Sequence, residues 1–555
     1  MADATDGAGR VFGIDLGTTY SAIAYIDETG RPTVCRNDNN AETTPSVVQF
    51  ETADNVVVGQ TAKDFAVIDA DSVVSLIKRQ MGEVLEYEYH GQVHTPESIS
   101  AFILRSLAAD AAKYTNGEVQ QVVISVPAYF GAKQKEATKK AGLIAGLDVV
   151  GVLPEPVAAA VHYDLMSGGV DKTVLVYDLG GGTFDTTVIQ VSASDITVLC
   201  TDGATDLGGA DWDLRLRDHF LQRFVAEASP AEAPDEDGEF LQQVANKAEE
   251  VKKQLSLRES RPVQLQFAGA AARVEVTRAE FETMTADLLD RSIEIVRRTL
   301  ATLEEKSPGA TIDEVLLVGG STRMPMVADR LVKEFGWAPK LHDPDLAVAK
   351  GAALFALSRV VYRMQEEVKA KASTVAEGER EAAQVVTEVA QQYGLSEAMV
   401  KQLSDKKTQS VLPKAFGVRL QDAADENREF IKHLAFANDA LPTGDRSFTA
   451  QTLRHDQTEV EIALYEQAGT VVSEELSANN PLTDGAGTIT GIPPQPVGDL
   501  AKIDIVMSID EDGLLQLQAT ERSTGQDLII KVSVGLSAAQ LGDAIDASSK
   551  ISISS

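Results

Sequence analysis

A pattern of residues that could bind phosphate occurs twice in the sequence. Residues 11–24, VFGIDLGTTYSAIA, and 174–188, VLVYDLGGGTFDTTV, each contain an apolar strand, an Asp, a Gly/Thr turn and a returning strand. Glycine lets the backbone approach an anion closely, and successive N–H groups form a concave anion site. One such segment alone is more often an ordinary hairpin. The matched Asp and Thr positions instead favour two hairpins that act together on one anionic ligand.

The charged residues indicate which kind of ligand the two hairpins could bind. Asp15 and Asp178 end the first strand of each segment, a position that suits Mg²⁺, which keeps several waters and binds few protein carboxylates. The net charge of −34 requires locally concentrated N–H groups, cations or a metal ion around a polyanion such as ATP. It also disfavours nucleic acid and anionic membranes as partners. Because the chain lacks a Walker A motif, we expect paired hairpins to hold the phosphates.

A third glycine element and the metal-binding residue types complete the list of candidates. Residues 315–325, VLLVGGSTRMP, read as strand, turn and helix, and Arg323 could stack on a base, although such a turn is often only a connection. His90 and His94 are four residues apart without a third ligand, so we predict a surface pair and no transition metal. Cys35 and Cys200 are too few and too far apart for a disulfide framework.

The elements that must position these residues fall into an α/β part and an all-β part. From about residue 11 to 357, apolar strands alternate with helical segments, one of which we predict over 278–302. Between 361 and 407, Gly and Pro nearly vanish and charged residues dominate, which predicts a helical connector or a solvated spacer. Short alternating strands follow, with Asp512-Gly513 as a tight-turn signal. We therefore predict boundaries at 10–360, 361–410, 411–535 and a short tail at 536–555.

Eight segments of the α/β part closely resemble the 70-kDa heat-shock chaperone family of bacterial type, and their order and spacing cover about 350 residues. They are GIDLGTTYS (13–21), TTPSVV (43–48), VPAYF (126–130), PEPVAAA (154–160), DLGGGTFD (178–185), DLGGADWD (206–213), GGSTRMP (319–325) and DPDLAVAKGAA (343–353). The resemblance implies an ATPase domain of the actin and hexokinase fold, with two duplicated lobes. It also implies an all-β sandwich that binds peptides, after the helical connector.

The resemblance also implies roles for single residues. Catalytic residues would be Lys78, Glu155, Asp178 and Thr183, and Asp15 and Asp178 would place Mg²⁺ through water. The ATP-binding set would be Asp15, Gly17, Thr18, Thr19, Gly180, Gly181, Gly182, Glu249, Lys252, Lys253, Ser256, Gly319, Gly320, Ser321, Arg323 and Asp345. Pro127 and Lys135 would relay the nucleotide state together with Glu155. Lys253 and Lys135 stand where members of the family have arginine.

The β part resembles the family's peptide-binding domain more faintly. Its candidate peptide pocket is Val418, Phe448, Val460 and Ile462, which serve equally well as sandwich core. No segment resembles the family's acidic-apolar linker, and because few residues follow Gly535 we expect a variant without the helical lid.

Two functions stay open at this point. The first is an ATP-dependent, stress-related chaperone that binds exposed apolar segments of unfolded or partly folded polypeptides. Its partners would include a J-domain co-chaperone and a nucleotide exchange factor. The alternative is an ATP-binding regulatory or scaffold protein with one dedicated partner. The N-terminal residues contain no apolar targeting segment, so we expect a cytoplasmic protein.

Overall fold

The structure is a computed structural model that describes residues 10–167, 171–192, 195–425, 428–511, 513–531 and 538–554. The described residues cluster in two compact units. The first unit draws on the described residues within 1–128, 138–407 and 538–555, and the second on those within 129–137 and 408–537. Asp512 of the predicted turn and the predicted boundary at 535/536 lie outside the described residues.

The mixed α/β character predicted for the first part of the chain is present in the structure. Its elements up to residue 167 are β1 (Val11–Asp15), β2 (Tyr20–Ile26), β3 (Pro32–Val34), β4 (Thr44–Pro45), β5 (Val48–Thr52), β6 (Asn55–Val58), α1 (Gln60–Phe65), β7 (Val73–Val74), β8 (Tyr87–Tyr89), β9 (Gln92–His94), α2 (Pro96–Thr115), β10 (Gln121–Val126), α3 (Ala132–Ile144), β11 (Asp148–Pro154) and α4 (Glu155–Ser167).

The next stretch repeats the alternation of strands and helices. It contains β12 (Lys172–Leu179), β13 (Phe184–Val191), β14 (Asp195–Ala204), α5 (Gly209–Ala228), α6 (Gly238–Leu255), β15 (Ser260–Phe267), β16 (Ala270–Thr277), α7 (Arg278–Met284), α8 (Ala286–Lys306), β17 (Glu314–Val318), α9 (Pro325–Phe335) and β18 (Lys340–Leu341). Short 3₁₀ turns at Ile77–Gln80 and Gly320–Arg323 lie next to the site described below.

The two echoing segments occupy equivalent places in two large sheets of the first unit. The first large sheet has the order β11-β10-β1-β2-β3, and the second contains β18-β17-β12-β13-β14. Strand β1 runs parallel to β10 and antiparallel to β2, while β12 runs parallel to β17 and antiparallel to β13. Asp15 is the last residue of β1 and Asp178 the last but one of β12, and each strand lies between a parallel neighbour and its own hairpin partner.

The helix predicted over 278–302 is two helices, because the chain leaves helical geometry at Thr285. The backbone there has φ −117° and ψ 10°, and the buried Thr285 hydroxyl donates 2.8 Å to the carbonyl of Phe281. Helix α7 begins with a capping box in which Thr277 and Glu280 exchange hydrogen bonds. Helix α8 then packs an apolar face against the second large sheet through Leu289, Ile293 and other residues of one hydrophobic cluster.

The predicted connector region is helical. Helix α10 (Ala347–Lys371) continues past residue 360 and is followed by α11 (Val375–Gln392), α12 (Glu397–Asp405) and the short strand β19 (Lys407–Gln409). Helix α11 buries Val385 and Val389 within the first unit. Leu395, between α11 and α12, packs directly over Gly30 of the first large sheet's β2–β3 loop. The connector therefore packs on the first unit over much of its length.

The second unit contains two antiparallel sheets around one core. Its strands are β20 (Phe416–Gln421), β21 (Glu429–Ala435), β22 (Arg446–Gln451), β23 (Glu459–Gln467), β24 (Asn479–Thr490), β25 (Lys502–Ile509), β26 (Leu515–Glu521) and β27 (Gln526–Lys531). They form sheets of order β21-β20-β23-β24 and β22-β25-β26-β27. Alternate side chains of both sheets, among them Ile503 and Leu517, share one buried apolar cluster.

The last described elements return to the first unit. Helix α13 (Ala538–Ser549) is followed by β28 (Ser552–Ser554), which pairs in parallel with β6 in a sheet of order β28-β6-β5-β7. Across the described ranges, we find no helix long and apolar enough to span a bilayer.

Candidate active site

The turns of the two echoing hairpins lie directly against each other. A Cβ built on Gly181 would stand 2.0 Å from the Thr19 hydroxyl oxygen, and one built on Gly182 would stand 2.3 Å from Thr18 Cγ2. Such distances leave no room for any side chain, so glycine at these two positions is what lets the turns meet. The internal repeat of the sequence is thus a pair of facing turns.

These turns form part of the lining of a cavity of about 870 Å³, a size typical of small-molecule sites. All but one of the predicted catalytic and ATP-binding residues line it, namely Asp15, Gly17, Thr18, Thr19, Lys78, Glu155, Asp178, Gly180, Gly181, Thr183, Glu249, Lys252, Lys253, Ser256, Gly319, Gly320, Ser321, Arg323 and Asp345. The exception among these described residues is Gly182. The residues come from segments that span more than 300 positions of the sequence.

Carboxylates concentrate at one part of this cavity. Burial, reinforced by the nearby Glu155, raises the pKa of Asp15 to about 7, although Asp15 accepts a 2.9 Å hydrogen bond from Ser125. Burial and the charges of Glu155 and Asp185 likewise hold the pKa of Asp178 well above its usual range. Clustered buried carboxylates of this kind need a compensating cation to be ionised together.

The same carboxylates suit Mg²⁺ better than a metal held by protein ligands alone. No three His, Cys, Asp or Glu side chains converge into a metal cage within the described part of the chain. Magnesium is bound through one or two carboxylates, several waters and substrate phosphates. The donor set at Asp15 and Asp178 therefore fits a magnesium ion that arrives with a phosphate ligand.

A buried lysine lies beside these carboxylates. Lys78, in the 3₁₀ turn Ile77–Gln80, donates a 2.5 Å hydrogen bond to Glu155, the first residue of α4. Both side chains are nearly inaccessible to solvent, at 5% and 10% exposure. Because so little water reaches this pair, the Lys78 ammonium interacts strongly with any charge that develops nearby. The pair can thus orient a reacting group and stabilise negative charge on it.

A cluster of polar residues at the cavity joins β2, which contains Tyr20, to α6, which contains Glu249 and Lys253. The Tyr20 hydroxyl donates 2.9 Å to Glu249 and accepts 3.0 Å hydrogen bonds from Lys63 and Lys253. Both lysines also pair with Glu249 and lie over the Tyr20 ring. Burial alone would raise the pKa of Glu249, but the two lysines outweigh it and lower that pKa to about 2.

Other predicted ATP-binding residues are engaged within the protein. Lys252 donates 2.7 Å to Asp213 and 2.8 Å to the Gly209 carbonyl, so it fastens α6 to α5. Arg323 pairs with Asp345 through two of its nitrogens, which leaves the guanidinium face available for stacking at the cavity rim. The Ser321 hydroxyl donates 2.9 Å to the Gly180 carbonyl and so supports the second of the two facing turns.

The structure does not test the predicted relay and peptide pocket. Pro127 follows β10 in the first unit, whereas Lys135 belongs to the 129–137 segment that clusters with the second unit. The predicted pocket residues Val418 and Ile462 are fully buried in the core of the second unit, and Phe448 and Val460 pack at its margin. The relay and the pocket stay predictions.

Residues outside the predicted set also contribute side-chain contacts to the site. Tyr20 and Asp213 line the cavity, and Lys63 reaches the cluster at Tyr20. Arg79, beside Lys78, pairs with Asp211 of α5 and donates to the Gly182 carbonyl. Tyr20 and Arg79 directly follow residues that were singled out, but the partners of Tyr20 lie 43 to 233 positions away and those of Arg79 more than a hundred, so local sequence does not reveal these contacts.

Comparisons with known proteins agree with this geometry. The family model described as "Hsp70 protein" matches residues 11–89, 83–369 and 409–551, and α11 and α12 fall between the last two matches. The protein is 33% identical over 530 residues to the "Chaperone protein DnaK" of Thermosipho melanesiensis and to that of Thermosipho africanus, which covers 94% of this chain and 80% of each relative.

A third relative extends the likeness to another genus. The "Chaperone protein DnaK" of Thermotoga petrophila is 33% identical over 526 residues, which is 93% of this chain and 79% of the relative. The matches cover the facing turns, the Lys78–Glu155 pair and the two-sheet second unit alike. The chain belongs to the Hsp70 family.

Proposed function

We propose that the protein is an ATP-dependent molecular chaperone, which couples ATP binding and hydrolysis in the first unit to the binding of apolar peptide segments by the second. The observation that carries the ATP-binding part is the pair of facing turns beside a buried Lys–Glu pair in one cavity. The two large sheets support an actin-like ATPase domain with duplicated lobes, and the two smaller sheets support a sandwich that binds peptides.

The first unit would hold the nucleotide from three sides. Backbone N–H groups and threonine hydroxyls of the facing turns would bind the phosphates. Glu249, Lys253, Ser256 and the 319–323 turn would hold the adenosine, with Arg323 against the base. Asp15 and Asp178 would bind Mg²⁺ through water, and the ion would neutralise phosphate charge.

Hydrolysis would depend on the groups around Lys78. Lys78 would orient the attacking water and stabilise the charge that develops on the transferred phosphoryl group, while Glu155 holds the ammonium in place. Thr183, at the end of the second turn, would hold the terminal phosphate from the opposite side. The low accessibility of the pair supports this role, because a preorganised charge acts most strongly where water is excluded.

The second unit would bind an extended apolar segment. Main-chain hydrogen bonds would hold such a peptide and an apolar pocket would select it, with Val418, Phe448, Val460 and Ile462 as the proposed lining. Unfolded or partly folded polypeptides are the proposed clients, and a J-domain co-chaperone and a nucleotide exchange factor the proposed partners. A cytoplasmic location is part of the same proposal.

The experiment is ATP turnover by the purified protein with and without an unfolded client, compared with Lys78→Ala. We expect the variant to bind ATP but to hydrolyse it at least about a hundredfold more slowly, the usual effect of removing one preorganised charge. The exposed Lys333→Ala is the matched control and should hydrolyse ATP normally. Normal turnover by Lys78→Ala would refute the assigned role.

A second experiment separates the chaperone from the alternative, a regulatory or scaffold protein. A chaperone should bind several unrelated unfolded proteins and suppress their aggregation, whereas a scaffold should bind one folded partner and ignore unfolded chains. Aggregation of two unrelated denatured proteins, followed by light scattering at equal chaperone concentration, distinguishes them. No suppression of either would favour the scaffold.

A further inference from the structure

The second of the two facing turns contains residues 180–182, and the carbonyl group of each accepts a hydrogen bond from within the protein. The Gly180 carbonyl accepts from the Gly209 N–H and the Ser321 hydroxyl, each at 2.9 Å, and the Gly181 carbonyl accepts from the Ala210 N–H at 2.8 Å. The third carbonyl, that of Gly182, accepts 2.9 Å from the Nε–H of Arg79. Because a carbonyl oxygen repels phosphate, a turn whose carbonyls are held elsewhere can present its N–H groups to the anion.

These three carbonyls do not depend equally on side chains. Those of Gly180 and Gly181 receive backbone N–H groups from the start of α5, which survive most substitutions. The Gly182 carbonyl receives its bond from one side chain, and Gly182 is also the turn residue that packs against Thr18. A single arginine side chain therefore holds the Gly182 carbonyl at the contact between the two turns.

The guanidinium of Arg79 is itself fixed. Its Nη2 donates 2.7 Å to Asp211 Oδ2, and the same oxygen accepts 2.7 Å from the Gly208 N–H at the start of α5. Both side chains are about one-fifth exposed, so solvent competes little for these bonds. The planar fork of arginine allows Nε and Nη2 to bind two partners at once, which a lysine ammonium on a flexible stem does poorly.

We propose that Arg79 is a positioning residue for ATP hydrolysis, which holds the Gly182 carbonyl away from the phosphates and fixes the second turn relative to Lys78. The inference rests on the proposed ATPase function. Arg79 and Lys78 lie in the same 3₁₀ turn, so the group that fixes the second phosphate turn and the catalytic lysine move together. Without Arg79 the Gly182 carbonyl loses this hydrogen bond. Gly182 still packs against Thr18 and Gly208, so the turn stays in place but is positioned less precisely, and hydrolysis slows while most ATP contacts remain.

The test measures the single-turnover rate of bound ATP and the ATP Kd in parallel. For Arg79→Gln we expect the rate to fall by about tenfold or more, with a Kd change of less than about threefold. Arg79→Lys should give an intermediate rate, because it keeps the pairing with Asp211 but not the bond to Gly182. The half-exposed Arg223→Gln, on α5 and away from the cavity lining, is the matched control and should behave as the wild-type protein does.

A double-mutant cycle with Asp211→Asn separates positioning from a general loss of structure. Asparagine keeps an oxygen for the Gly208 N–H but loses the ion pair, so Asp211→Asn should slow turnover, and the double variant should be no slower than Arg79→Gln alone. Thermal unfolding of each variant is measured as well. Additive losses in rate, or losses that follow Tm, would contradict positioning.

The outcomes also separate this inference from the proposed function. Wild-type turnover together with an unchanged rate in Arg79→Gln would overturn the role of Arg79 alone. A wild-type protein that binds ATP but never hydrolyses it, even with client, would overturn both. A slowed Arg79→Gln with near-normal ATP affinity, rescued in part by Arg79→Lys, is the expected result.

Discussion

The Lys78–Glu155 pair shows how much the site depends on compensating charges. Removing one partner of a buried ion pair commonly costs about 3–5 kcal/mol, because the remaining charge stays buried without compensation. Lys78 and Glu155 are both buried, and Asp15 and Asp178 line the same cavity. Part of any effect of Lys78→Ala is therefore structural, and its unfolding has to be followed beside its turnover.

The pairing of Glu249 makes stability depend on pH. Its pKa is lowered to about 2 in the folded protein, so its ionised form stabilises the fold above the unfolded pKa of 4.5. That contribution is lost as the pH falls from 4.5 through 2. For Glu249→Gln we expect a loss on the order of 2 kcal/mol in the free energy of unfolding at pH 7, shrinking steadily below pH 4.5.

Urea unfolding at several pH values checks this expectation. The exposed Glu227→Gln on α5 is the control and should show a much smaller, nearly pH-independent effect. A stability difference for Glu249→Gln that stays constant from pH 7 to pH 3 would contradict the pairing with Lys63 and Lys253.

The sequence indicates the site residues that lie in local patterns, but not the partners that long-range folding brings to them. The Asp and Gly/Thr turns could be predicted because each is a strand followed by a turn. Lys63 meets Glu249 across 186 positions and Arg79 meets Gly182 across 103, and neither separation leaves a periodic signal. Lys252 was predicted to bind adenosine, and its ties to Asp213 and Gly209 show that it also joins two helices.

At the scale of elements, the contact between the two hairpins is the feature on which ATP binding depends. Alanine at Gly181 would place a Cβ 2.0 Å from the Thr19 hydroxyl, and β-branched threonine has few rotamers with which to move away. We expect Gly181→Ala to separate the turns, weaken ATP binding about tenfold or more and lower stability by about 1–3 kcal/mol.

Isothermal titration with ATP and Mg²⁺ measures this effect, and the chain offers a matched control. Among the described atoms, none lies within 4 Å of a Cβ built on Gly238 at the start of α6. Gly238→Ala should therefore leave ATP binding unchanged. Equal affinities for the two alanine variants would show that the turns do not need to touch.

The C-terminal strand is a second element whose attachment can be tested. Arg105 of α2 donates 2.6 Å to the Ser548 carbonyl and 3.0 Å to the Ile551 carbonyl, and Ser552 N–H donates 2.8 Å to the Asp54 carbonyl. Since a side chain from α2 holds one carbonyl at the end of α13 and one just after it, we expect Arg105→Ala to increase amide exchange of residues 548–554 about tenfold or more.

Hydrogen exchange followed by mass spectrometry measures the amide exchange rate separately for each peptide of the protein. The exposed Arg215→Ala on α5 is the control, and β12 provides an internal reference that should exchange equally in all variants. Unchanged protection of residues 548–554 in Arg105→Ala would mean that strand pairing with β6 alone holds this segment.

Some elements could be predicted from the sequence and others could not. Repeated apolar strands around an Asp predict two similar hairpins. Both exist, and the first strand of each has one parallel neighbour in its sheet besides its hairpin partner. The break at Thr285 could not be predicted, because the apolar period of α8 continues through it from α7. Strand β28 pairs with β6 across nearly 500 positions, and three residues carry too little periodicity to indicate a strand.

At the scale of the whole molecule, the strong negative charge of the protein contrasts with the proposed binding of ATP, which is itself an anion. A net charge of −34 disfavours ATP in general, so the facing turns, Lys78 and the lysines at Tyr20 must supply the local attraction. The same charge disfavours anionic partners and favours clients with exposed basic segments. If the whole surface repelled ATP, added salt would screen the repulsion and raise the affinity for ATP strongly. Because these local groups attract ATP, we expect its affinity to rise far less with added salt.

In the proposed function, ATP bound by the first unit changes the affinity of the second unit for peptide. The most direct measurement is the Kd of a fluorescent, extended apolar peptide for the full chain, with and without saturating ATP and Mg²⁺. Linkage requires that the factor by which ATP weakens peptide binding equals the factor by which peptide weakens ATP binding. We predict a higher peptide Kd with ATP and the same factor in the reverse titration; an unchanged peptide Kd would contradict the coupled chaperone.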